Sequence, residues 1–238
     1  MIVQACLNGA RSRAFHPRLP VSTEEVVRDA MLCVVAGASE LHVHPRASDG
    51  RESLVAVDEV ILALRRACPG TLVGVSTGAW IEGDDERTRA CILMWDELPD
   101  YASVNLSEPD APAVIRLLRG RGIGIEAGLA CVADAERFLG LEDHGQVLRV
   151  LIEIDEQDID VAIPIAIRIA DMLEQAGVRR PVLLHGADAT VWPLVELARQ
   201  RRWSTRIGLE DGRTLSDGTM TPDNAALVSE AVLLFRAV

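Results

Sequence analysis

Lysine is absent: all 24 basic residues among the 238 are arginine. That excludes Schiff-base chemistry and pyridoxal phosphate attachment, which need a side-chain amine, apart from the chain's own N-terminal amine. It also excludes a P-loop, whose phosphate-binding turn needs Gly-Lys-Ser/Thr. Aromatic residues make up only 3% of the chain against 49% hydrophobic, so a core must be assembled mainly from Val, Leu, Ile and Ala. The five cysteines (6, 33, 68, 91 and 131) are scattered and form no CxxC. They read as reduced, mostly buried thiols, not as a disulfide framework or zinc finger. Positive charge is in deficit: the net charge of −12 argues against a nucleic-acid partner, which would need basic surface. No apolar run approaches the roughly 18 residues of a membrane helix. The opening MIVQACLNGA lacks a basic region followed by a signal-type apolar core. A cytoplasmic protein with no membrane partner is expected.

What is present is a regular alternation. Short β-type runs at 2–7, 40–44, 72–76, 101–105, 123–126, 147–152, 181–184 and 205–209 are each followed by a helical stretch. The first helix opens on a capping box, Ser22 with Glu25, carries an apolar stripe (Val26, Val27, Ala30, Met31, Val34, Val35) and ends at Gly37. The last is expected to start at Thr221–Pro222, an N-cap followed by proline. Eight β–α units with no linker or low-complexity segment between them predict a (β/α)8 TIM barrel, a single domain over 1–238.

In such barrels the reactive groups collect at the C-terminal ends of the strands. Here those ends carry Asn8, then His42 and His44, then Ser76 and Thr77, then Asn105, Glu126, His185 and finally Glu210 with Asp211. Only the sixth strand ends without a polar group, and the strand interiors read as almost wholly apolar. His42 and His44 stand at i and i+2, so on a strand both imidazoles point the same way while Val43 packs behind. Imidazole suits zinc, and a carboxylate as third ligand leaves an open coordination position. Glu210 or Asp211 can supply it, because only the first strand separates the eighth from the second. One division of labour gives the metal to Glu210 and makes Asp211 a base oriented by Arg206; the plainer alternative is a capped turn with a surface ion pair. The loop 8–20 is long and holds Arg11, Arg13, His16 and Arg18. Long loops in compact domains are often functional, and a solvated lid is the plainer reading.

The segments LNGA (7–10), LPVSTEEV (19–26), AGASELHVHPR (36–46), VSTGAW (75–80), SVNLSE (103–108), GIEAG (124–128) and RIGLEDG (206–212) together resemble the β-keto acid cleavage enzymes, the family of 3-keto-5-aminohexanoate cleavage enzyme. The resemblance implies a zinc-bearing (β/α)8 barrel in a homo-oligomer, dimer or tetramer. It implies zinc on His42, His44 and Glu210, a base at Asp211 assisted by Arg206 and Ser76, and a substrate pocket formed by Asn8, Thr77, Gly78, Ser103 and Asn105. Glu126 would help hold the Arg206–Asp211 pair. The implied reaction is a Claisen-type exchange in which a β-keto acid and the co-substrate acetyl-CoA become acetoacetate and a new acyl-CoA. Arg11 falls where relatives meet the variable end of the substrate, and a guanidinium there would suit a second carboxylate. Three features depart from the family pattern: the chain is short, the stretch IEIDEQDIDVAIPIA after the sixth strand has no glycine, and Ala79 and Gly212 stand where a glycine and an asparagine are usual. Two other readings are a metal-dependent TIM-barrel hydrolase and a non-catalytic ligand-binding barrel. Hydrolases of that kind carry HxH after the first strand, with further histidines on strands five and six, a pattern this chain lacks.

Overall fold

Four- to six-residue strands rich in Val, Ile and Leu, each buried on both sides, suit parallel pairing beneath a layer of helices. In the computed structural model, which describes residues 1–236, they close completely. The strands are β1 (Val3–Cys6), β2 (Glu40–Val43), β3 (Leu72–Ser76), β4 (Tyr101–Asn105), β5 (Gly124–Leu129), β6 (Arg149–Ile154), β7 (Val182–Gly186) and β8 (Ser204–Ile207). The helices are α1 (Thr23–Ala36), α2 (Val57–Ala67), α3 (Ala79–Glu82), α4 (Asp85–Met94), α5 (Ala111–Gly120), α6 (Val132–Leu139), α7 (Ile159–Gln175), α8 (Val191–Arg201) and α9 (Asn224–Arg236). Each strand pairs in parallel with the next, and β8 closes on β1 through Val3↔Thr205, Gln4↔Arg206 and Ala5↔Ile207. The expected (β/α)8 barrel is the observed fold.

Alternation along the strands divides the interior in two. Ala5, Leu41, Val43, Val73, Val75, Ala102, Val104, Ile125, Ala127, Val150 and Ile152 pack outward into the apolar layer under the helices. The lumen is different from the expected apolar interior: Gln4, Glu40, Tyr101, Glu126 and Arg149 fill it. Gln4 Nε2 donates to Tyr101 OH (2.8 Å) and to Glu126 Oε2 (3.1 Å), and Tyr101 OH donates to the Leu41 carbonyl (2.7 Å). Arg149 pairs with Glu40 and lies 2.9 Å from Glu126. Buried charge is tolerable here because each carboxylate faces a guanidinium. The lone tyrosine can cross the lumen because β3 offers Gly74: a Cβ there would sit 2.0 Å from the ring.

Local corrections have simple causes. β6 runs to Ile154, two residues beyond the expected end, which brings Glu153 onto the strand. α9 starts at Asn224, not at Thr221–Pro222, because the Asp223 carboxylate takes the capping hydrogen bond from Ala226 N (2.9 Å). The buried face of α1 is Val26, Asp29, Ala30 and Cys33, so Met31 and Val35 of the expected stripe stand exposed. α7 begins at Ile159, with Pro164 inside it. No helix among the described residues is long and apolar enough to cross a membrane.

Candidate metal centre and active site

The C-terminal mouth of the barrel holds a cavity of about 270 Å³. His42 enters it from β2. His44 lies one residue past the strand, where the Asn8 side chain extends the ladder: Asn8 Nδ2 donates to the His44 carbonyl (3.0 Å) and His44 N donates to Asn8 Oδ1 (2.9 Å). Glu210 follows β8 in a tight turn in which Asp211 N and Gly212 N both donate to the Gly208 carbonyl at 3.0 Å. The turn reaches the β2 side because Gly9, at φ +52, leaves room; a Cβ on it would meet Glu210 Cγ at 2.3 Å.

His42, His44 and Glu210 each offer one ligand atom within 4.8 Å of the others. His42 Nε2 lies 4.0 Å from Glu210 Oε2, and His44 Nε2 lies 3.4 Å from Glu210 Oε1. The donor set fits a divalent ion. Glu210 Oε2 is buried without a hydrogen-bond partner, and its 4.0 Å gap to His42 Nε2 is too long for a hydrogen bond, so two buried donors face each other unpaired where an ion could satisfy both. His44 Nδ1 is hydrogen-bonded to Glu52, the outer carboxylate that commonly fixes a ligating imidazole with its other nitrogen toward the metal. Burial holds the His42 imidazole well below its usual range, so it is neutral and ligand-ready. Burial works the same way on His44, but Glu210 and Glu52 outweigh it and raise that ring to about 9. Burial alone would raise Glu210; Arg206, His44 and His42 instead hold it well below the carboxylate range.

Asp211 sits beside Glu210 with different partners. Cys6 Sγ donates to its Oδ2 (2.6 Å), and His185 Nδ1 lies 3.1 Å from its Oδ1. Arg206, expected to orient Asp211, directs its Nη2 to Glu210 Oε1 (2.8 Å) and Glu153 Oε2 (3.3 Å). Glu126, expected to hold an Arg206–Asp211 pair, is fully buried below the cavity with one oxygen 3.9 Å from Arg206 Nη1.

Of the residues that the resemblance assigns to the site, Arg11, His42, His44, Ser76, Ser103, Asn105, Arg206, Glu210 and Asp211 line one cavity, together with His185 from the end of β7. Four do not. Asn8 is buried as the clamp on His44; Thr77 Oγ1 donates to the Ser103 carbonyl (2.8 Å); Gly78 packs against the Trp80 ring; Glu126 lies in the lumen. Arg11 is neither an exposed loop residue nor a vacant receptor. Its Nη2 pairs with Asp188 at 2.9 Å, its Nε donates to the Glu210 carbonyl at 3.2 Å, and its guanidinium lies 4.3 Å from the Phe15 ring centre.

Glu153, Glu52, Trp80, Asp155 and Asp188 were not found from sequence. Glu153 was within reach: continuing the sixth strand's alternation from Arg149 through Leu151 puts it in the lumen. Glu52 lies in the loop after β2 and Trp80 in the single turn of α3, neither long enough to show a period, and Trp80 Nε1 donates to Glu52 Oε2 (3.1 Å).

A family model described as beta-keto acid cleavage enzyme matches residues 1–136. The 3-keto-5-aminohexanoate cleavage enzyme of Acetoanaerobium sticklandii is 32% identical over 109 residues, 44% of this chain and 38% of that protein. The namesake from Fusobacterium nucleatum is 33% identical over 81 residues, 30% of its length. The matches therefore span well under half of these relatives. The 3-oxoadipate:acetyl-CoA acetyltransferase of Cupriavidus necator is 27% identical over 259 residues, 98% of this chain and 87% of that protein. Among solved structures, the binary complex of ObcA with oxaloacetate superposes with a TM-score of 0.75 at 17% identity, covering 90% of this chain and 62% of that one. It is a likeness of fold.

Proposed function

The chain belongs to the β-keto acid cleavage enzyme family, and from that premise we propose that it is an acyl-transferring carbon–carbon bond cleavage enzyme. A β-keto acid and acetyl-CoA become acetoacetate and a new acyl-CoA. The observation that carries this reading is the convergence of His42, His44 and Glu210 on one point at the barrel mouth, with the carboxylate of Asp211 beside them in the same cavity.

His42, His44 and Glu210 would hold a divalent ion, zinc by the chemistry of the donors. Bound there, the ion supplies Lewis-acid polarisation of a keto oxygen. Asp211 is the group to take the α-proton, since its neighbour Glu210 is committed as a ligand. The carbon so freed attacks the acetyl thioester and CoA thiolate leaves; the thiolate then attacks the original keto carbon, and the bond between that carbon and the α-carbon breaks. Acetoacetate departs after its α-carbon regains a proton. Ser76 and Ser103 line the cavity as neutral hydrogen-bonding groups for the substrate carboxylate. Arg206 holds Glu210 in place through its 2.8 Å hydrogen bond.

A dicarboxylic β-keto acid is the substrate class this reading favours. The relative from Cupriavidus necator is named for 3-oxoadipate, a β-keto acid with a second carboxylate, and Arg11 reaches the cavity wall with Asp188 as an exchangeable partner. The same reading makes the protein a cytoplasmic homo-oligomer, supported by the exposed Met31, Val35 and Leu233 on α1 and α9. The test is acetoacetate formation from a panel of β-keto acids with acetyl-CoA, on protein of measured metal content, beside ester and amide hydrolysis. Acetoacetate that disappears in Asp211→Asn supports the reading. Hydrolysis alone would favour a hydrolase, and neither activity a non-catalytic barrel.

A further inference from the structure

Asp211 is held by groups from two other strands. Cys6 at the end of β1 donates to Oδ2, and His185 on β7 meets Oδ1 at 3.1 Å. The second ring nitrogen of His185 lies 3.1 Å from Glu153 Oε2. Glu153 and His185 are register partners across β6 and β7, so the barrel itself sets their side chains next to each other. Arg206 Nη2 closes on the same Glu153 oxygen at 3.3 Å. Asp211, Cys6, His185 and Arg206 are buried and Glu153 is half-buried, and both Glu153 and His185 fall beyond the residues the family model matches.

We propose that His185, anchored by Glu153, is the positioning residue for Asp211. The inference rests on the reading of Asp211 as the base. A carboxylate with one hydrogen bond on each oxygen cannot turn about its terminal torsion, and the lone pairs left over are those available to a substrate proton. An imidazole facing a carboxylate at each nitrogen donates from both, so it is held as imidazolium. Burial and Arg206 oppose that charge, yet Asp211 and Glu153 raise His185 to about 9. Arg206 makes no hydrogen bond to Asp211, so the orienting role passes to the imidazole.

Two measurements on metal-quantified protein test this. The first is histidine NMR, with the His185 resonance assigned from His185→Asn. The ring is expected to titrate well above its ordinary 6.5, and Asp211→Asn and Glu153→Gln should each lower it by half a unit or more. The second is exchange of the β-keto acid's α-proton in deuterated water. His185→Ala should lower the maximal exchange rate about 100-fold, the scale for a misplaced reacting group, with KM within threefold and metal content unchanged. His185→Asn, whose amide can still donate to Asp211, should recover at least tenfold. An imidazole titrating near 6.5 overturns the proposal, as does an alanine variant within threefold of wild type or one whose loss lies in KM or metal content. If the imidazole is coupled to both acids but wild-type protein exchanges no β-keto acid's α-proton, the functional reading falls and the clamp on Asp211 stands.

Discussion

Replacing Glu52 by glutamine should weaken Zn²⁺ binding and flatten its pH dependence, and the structure sets the size of both effects. In the metal-free protein the His44 imidazole is raised to about 9, with burial opposing and Glu210 and Glu52 prevailing. Ligation needs that ring unprotonated at Nε2. At pH 7 the displaced proton is held by about two pH units, or about 2.7 kcal/mol at 1.36 kcal/mol per unit. His42 adds no such cost, because burial keeps it neutral. Zn²⁺ affinity should therefore climb close to tenfold per pH unit from 7 to 9, with about one proton released per ion at pH 7, not two. Glutamine at 52 can still accept from Nδ1 but carries no charge. Its imidazole loses basicity as a ligand and also competes less for the proton. At pH 9, where competition has nearly gone, the loss should be the 10- to 100-fold typical of outer-carboxylate changes, about 1.4 to 2.7 kcal/mol. Toward pH 7 the two effects oppose, so the variant's slope should be shallower than wild type's. Chelator-competition titrations across this range, with calorimetry in two buffers of unlike ionisation enthalpy, measure both quantities. Wild-type affinity that is level from pH 7 to 9 with no proton released would refute the reasoning. So would a variant within threefold of wild type at pH 9.

Asp211→Asn should cut α-proton exchange by about 10² to 10⁴, the usual contribution of a positioned base, while metal content measured by mass spectrometry stays at the wild-type level. Arg11→Ala should raise KM for a dicarboxylic β-keto acid about tenfold or more and leave a neutral one nearly unchanged; equal effects on both would end the dicarboxylic assignment. Asp29 is raised to about 6, mainly by burial and against its hydrogen bond from Asn224. Its folded pKa exceeds its unfolded one, so the stability tied to its proton is complete below about 4 and is lost as pH rises through about 6. The change is about 3 kcal/mol, visible as a slope in urea unfolding free energy that Asp29→Asn should remove. Gly74→Ala would place a methyl 2.0 Å from the Tyr101 ring. Displacing that ring from Gln4 and the Leu41 carbonyl should cost about 1 to 3 kcal/mol, read as a lower melting temperature without loss of metal-binding stoichiometry.

The sequence by itself determined the barrel and its chemical end. Strand and helix periods are local properties, and their eightfold alternation leaves few ways to bury every apolar face. His42 and His44 could be placed on one face because side-chain direction along a strand repeats every two residues. The partnerships were not determined in this way. Glu153, His185 and Asp211 are separated by 32 and 26 residues, and no local period couples them; the register of β6 against β7 and the turn after Gly208 bring them together. A two-residue error at the end of β6 was enough to hide Glu153. The polar lumen follows the same logic, because Glu40, Glu126 and Arg149 look like isolated charges in apolar runs until closure sets them face to face. Arg206 chose Glu210 and Glu153, and Arg11 chose Asp188, for a reason that lies outside any one segment. A buried or half-buried guanidinium pairs with whichever carboxylate the closed barrel puts within reach, and closure is decided by all eight strands at once.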